Sequence, residues 1–230
     1  MARKARSTPP IIDAPPVVVA VGLAIIGAHA LRALAPAGIG SSLLMSASLQ
    51  PRRVWATLGL GAPGAVAYGN PVEAILPLLT EALVHDGWGA ALLNAALVVM
   101  AGRPVHAAVS RGRRGAMGRF LSLFTISVLG GSLAHLILGF PSGPALIGAS
   151  GGVCGLLGAL VLKEEGSGAR ILSARFLTVL GVFAAVNLAV AVMGPSLLGF
   201  RMSWQAHIGG FLAGAVAFAA LRPARGAPRF

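Results

Sequence analysis

Among the polar side chains inside the long apolar runs of this 230-residue chain, six stand out as candidates: His29, Asn94, His135, Ser150, Asn187 and His207. A polar group is costly in such a run, so each is a candidate for function or for bonding between helices. Two are of the types that acyl transfer needs. A serine hydroxyl is a weak nucleophile until an imidazole within hydrogen-bond reach takes its proton. Ser150 lies in Gly148-Ala149-Ser150-Gly151-Gly152, with Gly155 and Gly158 beyond, and His207 is followed by Gly209, Gly210 and Gly214. The pairs Gly151/Gly155 and Gly210/Gly214 have the spacing that lets two helix backbones approach closely. Such closeness is what a bond from serine Oγ to a ring nitrogen requires. The glycines alone would also suit plain helix packing.

The elements that carry these residues follow from composition. The chain is 56% hydrophobic and 10% charged, where a soluble domain has about a quarter charged residues. Its solvent is therefore largely lipid. The formal charge of +12 and the single Tyr do not make a nucleic-acid surface, because the basic residues sit in short clusters between apolar runs with no aromatics interleaved to stack bases. Cys154 is the one cysteine; it permits no intramolecular disulfide and reads as a packing residue. A spanning helix needs about 20 mainly apolar residues. Six spans are predicted: Pro16 to Ala35, Trp88 to Gly102, Phe120 to Phe140, Ala145 to Leu162, Phe176 to Leu197 and Ser203 to Leu221.

Charge sets the orientation. One side of the membrane receives Arg3, Lys4, Arg6, Arg103, Arg111, Arg113, Arg114, Arg119, Lys163, Arg170, Arg175, Arg222, Arg225 and Arg229; the other receives Arg52, Arg53 and Arg201. An even number of spans puts both termini together, here on the basic, cytoplasmic side. The expected organisation is a basic disordered tail over residues 1–12, a six-span domain over 13–221 and a basic tail over 222–230. A long external connection, about 36–84, carries Leu43, Leu44, Met45, Val54, Trp55, Leu58 and Ile75 and reads as an interfacial segment. The second, fourth and sixth spans run inward. Asn94, Ser150 and His207 then each lie about 6–9 Å below the outer end of their helices at 1.5 Å rise per residue. Three polar side chains from three helices at one depth predict one site open to water from outside.

At these residues the chain resembles a known family. The segment IGASGGVCGLLGA is similar to the GxSG signature of rhomboid intramembrane serine proteases, AHIGGFLAG to their last-helix motif, and HDGWGAALLN to their second-helix motif. The resemblance runs from about Leu79 to Leu221. It implies an all-α integral membrane protein, a six-transmembrane-helix bundle, in which Ser150 is the nucleophile and His207 the base. The Ser150 backbone N–H and the Asn94 amide would hold the oxyanion, with Gly148 in support. Glycines Gly151, Gly155, Gly210 and Gly214 would pack the helices. No Asp or Glu lies in the fourth or sixth span, so a dyad is expected, with no metal and no cofactor. The substrate would be a transmembrane helix with small, helix-weakening residues near its outer end, entering laterally past the fifth span, where Gly181 and Gly194-Pro195 help it move.

The chain departs from the family pattern at three places. Ala90 stands where many members have a histidine that donates to the oxyanion, Cys154 where many have an aromatic ring against the catalytic imidazole, and Pro77 where an arginine is common. These departures favour the alternative of a rhomboid-like adaptor or chaperone that binds transmembrane clients without cutting them. A transporter is disfavoured, since no acidic residue lies deep in any span. His85 reads as a loop-structuring residue, and His29 and His135 as bonding neighbouring helices or interfacial water, with His135 the reserve base. A bacterial inner or plasma membrane is the expected location, with an organelle as the other choice.

Overall fold

A computed structural model describes residues 14–110, 115–166, 170–197 and 202–222. The two expected tails lie outside the described residues, save Arg222. The chain runs through α1 (Pro16–Leu34), α2 (Ala37–Ala47), α3 (Pro51–Thr57), α4 (Pro71–Ile75), α5 (Pro77–Thr80), a 3₁₀ turn (Glu81–Leu83), α6 (Trp88–Ser110), α7 (Ala116–Leu138), α8 (Ser150–Glu164), α9 (Ala174–Leu197) and α10 (Trp204–Leu221). Five of these, α1, α6, α7, α9 and α10, are long and apolar enough to cross a membrane. With α8 they form an all-helical membrane bundle, and no strand occurs among the described residues.

The long connection between α1 and α6 is folded. Proline opens α3, α4 and α5, where its fixed φ suits a first turn and its missing N–H costs nothing. Leu49 and Val54 from this segment pack with Leu136 and Leu146 in a cluster separate from the main core. The second span is longer than expected and continues through Pro104 to Ser110. Val105 and Val109 carry its buried face on past the point where the apolar run ends.

The fourth span is corrected more deeply. Its helix starts at Ser150 and not at Ala145, so it has 15 residues and reaches about 22 Å. Residues 144–149 supply the rest of the path in non-helical form. Irregular backbone at membrane depth must find partners inside the protein, and here it does. Leu146 exchanges both backbone hydrogen bonds with Leu49, at 2.8 and 3.0 Å, and the Gly148 N–H donates to the Glu81 carbonyl at 2.8 Å. Gly148 has φ +104°, a conformation that favours glycine.

Helix α8 is buried nearly all round, as an interior helix is. A Cβ at Gly210 would run into the Gly151 carbonyl, one at Gly214 into the Gly155 backbone, and one at Gly158 into the Phe211 carbonyl. The predicted GxxxG pairs thus face each other across α8 and α10. A second seam, unpredicted, joins α7 to α10. There a Cβ on Gly131 would lie 2.8 Å from the Ala206 carbonyl, and one on Gly209 would meet Ala134 and the Gly130 carbonyl.

Candidate active site

Ser150 is the first residue of α8. Its depth therefore comes from the non-helical segment that descends into the bundle, and the expectation that it lies about five residues inside a helix is corrected. The loop before α6 holds that segment in place. Beyond the bond to Glu81, the Ala149 N–H donates to His85 Nε2 at 3.2 Å. A ring nitrogen that accepts is unprotonated, so His85 must be neutral for this bond to exist. Burial, and after it the neighbouring His29, lower His85 to about 4. Arg32 of α1 donates to the His85 carbonyl at 2.8 Å. Burial holds the Glu81 carboxyl well above the usual carboxylate range; Ser132 Oγ donates to the Leu78 carbonyl at 2.9 Å and lies 3.2 Å from Glu81 Oε1.

With the amides of Gly148 and Ala149 engaged, the next in line are those of α8's first turn. A helix start leaves such N–H groups without intrahelical partners and carries partial positive charge. The Ser150 N–H is the first of these groups.

His207 comes one turn into α10, whose N-cap Ser203 accepts from the Ala206 N–H. The close α8–α10 seam brings its ring to the serine: His207 Nε2 lies 2.8 Å from Ser150 Oγ. Its Nδ1 lies 2.7 Å from Asn187 Oδ1 on α9. Asn94 lines the same cavity of about 790 Å³ as Ser150 and His207. One of its amide hydrogens goes to the Ala90 carbonyl of its own helix at 3.0 Å, which leaves the second for a ligand. Ala90 also faces the cavity and offers no donor there.

The remaining histidines have other partners. His135 Nε2 lies 2.8 Å from the Pro144 carbonyl and its Nδ1 2.7 Å from Ser203 Oγ. A carbonyl only accepts, so Nε2 carries the proton and Nδ1 accepts from the Ser203 hydroxyl. His135 thus ties α7, the segment before Ser150 and the start of α10 together, with both nitrogens engaged. His29 packs its ring edge-on to Trp88 at 4.7 Å. Cys154 is a buried free thiol.

Sequence reasoning noticed Asn187 as an intramembrane polar residue but gave it no place in the site. Counted from Leu197, it lies about 15 Å from the end of its helix, outside the depth band expected of the others. Its polarity within an apolar run was the available signal; the difference in expected depth concealed the partner.

Chemically, the arrangement offers a hydroxyl, a ring nitrogen positioned to take its proton, a group behind that ring, and amide donors at a helix start. No curated protein matches the chain. Residues 73–224, more than half of it, match the family model of the Rhomboid domain.

Proposed function

The chain belongs to the rhomboid family, and we propose that it is an intramembrane serine endopeptidase working with Ser150 and His207. The observation that carries this reading is the 2.8 Å contact between Ser150 Oγ and His207 Nε2 beside a cavity that α9 lines with Leu188, Ala191 and Val192. His207 takes the hydroxyl proton as Ser150 Oγ attacks the scissile carbonyl carbon. The oxyanion that forms accepts hydrogen bonds from the Ser150 N–H and the free amide hydrogen of Asn94. Collapse breaks the C–N bond, and His207 returns the proton to the leaving amine. Water, deprotonated by the same ring, then hydrolyses the acyl-enzyme. The bundle's lipid setting makes the substrate a transmembrane segment of another membrane protein, and the basic side of the chain, with both termini, faces the cytoplasm of a bacterial inner membrane.

The adaptor reading draws on Ala90, which faces the cavity where a donor would strengthen the oxyanion hole. One experiment separates the two. Wild type, Ser150→Ala and His207→Ala are reconstituted in liposomes with a single-span reporter substrate, and a fluorophosphonate probe is mapped by mass spectrometry. Cleavage and labelling at Ser150 in wild type alone are expected. Cleavage that persists in Ser150→Ala, or a wild type that neither cuts nor labels, removes the protease reading.

A further inference from the structure

We propose that Asn187 is a positioning residue: it holds the His207 ring so that Nε2 faces Ser150, and it makes that orientation depend on where α9 sits. The catalytic consequence rests on the endopeptidase reading above; the geometry does not.

The hydrogen-bond pattern determines which ring nitrogen carries the proton. Asn187 Nδ2 donates to the Phe183 carbonyl of its own helix at 2.8 Å. A carbonyl can only accept, so the amide cannot be turned over, and Oδ1 must face the ring. Oδ1 lies 2.7 Å from His207 Nδ1. An amide oxygen also only accepts, so Nδ1 carries the hydrogen. Nε2 is then bare and can accept from Ser150 Oγ at 2.8 Å. A base oriented in turn by a third group is the general logic of hydroxyl activation, and a neutral asparagine can fill that third place.

Two further observations give Asn187 this role in particular. Among the described residues no aromatic ring is stacked on His207, and Cys154 is too small to wedge an imidazole in place. The ring's orientation therefore falls to its hydrogen bonds. Helix α9 also changes character at this residue. Below it, Phe176 and Phe183 pack on Phe211 of α10 with ring centroids 5.7 and 4.7 Å apart. Above it, Leu188, Ala191 and Val192 border the cavity. Asn187 is thus where packing against α10 gives way to open space. A movement of the outer half of α9 away from α10 breaks the Oδ1–Nδ1 bond first and frees the ring to turn.

The test uses the full chain in liposomes with the single-span reporter. Asn187→Leu keeps the side-chain bulk but has no acceptor, and Asn187→Asp keeps an acceptor oxygen. In the leucine variant kcat falls on the order of 10- to 10²-fold, less than when a charged orienting group is lost, with KM within about twofold. The aspartate variant recovers most of kcat. Nitrogen-15 NMR of histidine-labelled protein in bilayers, with His207 assigned by difference from His207→Gln, gives a single Nδ1–H tautomer in wild type and a mixture in Asn187→Leu. Asn187→Ala repeats both arms should the leucine variant fail to fold. Wild-type kcat in Asn187→Leu, or an unchanged His207 spectrum, overturns the proposal. A wild type that cuts nothing but loses its single tautomer in Asn187→Leu overturns the protease reading and leaves the positioning role standing.

Discussion

Helices α9 and α10 are both apolar and long enough to span a bilayer, yet they are attached to the bundle in opposite ways. In its most apolar stretch α10 is 39% buried, and α9 is 11% buried. Glycines account for much of the difference. On α10, a Cβ at Gly209, Gly210 or Gly214 would collide with the backbone or side chain of a neighbour, whereas one at Gly181 of α9 would meet nothing within 4 Å. Lipid chains are as apolar as a leucine, so association in the bilayer comes from close packing and hydrogen bonds. The α7–α8–α10 seams have that packing along their length. Helix α9 has a shorter contact, with Phe176, Val179, Leu180 and Phe183 against the core and Asn187 on His207. Ser150 and the His207 ring that faces it are thus mounted on the rigid part, and Asn187 behind the ring on the loose part.

The sharpest way to break this contrast is to place a side chain in the seam. Gly214→Val should cost about 3 kcal/mol or more, at the upper end of overpacking penalties, and should abolish any cleavage, as read by thermal denaturation in detergent and by the reporter assay. A stable, active Gly214→Val would mean that the seam is not the rigid part.

An intermediate effect is expected where the loop supports Ser150. His85→Phe leaves the Ala149 N–H without its acceptor, a loss of about 1–3 kcal/mol for a buried group. The pH dependence has a definite sign. His85 is held below its unfolded value, so the native chain keeps it neutral while the unfolded chain protonates. Its contribution to stability is complete above the ordinary histidine value near 6.5 and is lost as pH falls from there to about 4. Melting curves of wild type and His85→Phe across that range should converge toward low pH; parallel curves would remove His85 from this role.

The smallest effect belongs to α9. Gly181→Val should change stability by no more than about 0.5 kcal/mol, as substitutions away from packed features do. A loss comparable to that of Gly214→Val would show that α9 is as tightly held as α10.

Much of this was legible from residue types. The apolar runs, their polar exceptions and the GxxxG pairs located the helices and named Ser150, His207 and Asn94, because burying a polar group in lipid leaves a mark in any sequence. The start of α8 was not legible. Ala145, Leu146 and Ile147 are as apolar as any helix, and nothing local says that Leu146 pairs with Leu49 and that the Gly148 N–H goes to Glu81, more than sixty residues upstream. The partner of Asn187 was hidden for a similar reason, since helix tilt and the point at which α9 parts from α10 depend on Phe183, Phe211 and the cavity above them.

By itself the sequence determined the solvent, the stretches apolar enough to cross it and which side chains are too polar to lie in lipid without purpose, all consequences of transfer energy summed along the chain. Tertiary structure decided which of those side chains meet. Hydrogen bonds reach only about 3 Å, and whether two residues come that close depends on backbone approach, on the non-helical descent to Ser150 and on the seat of α9, none of which is a property of any one segment.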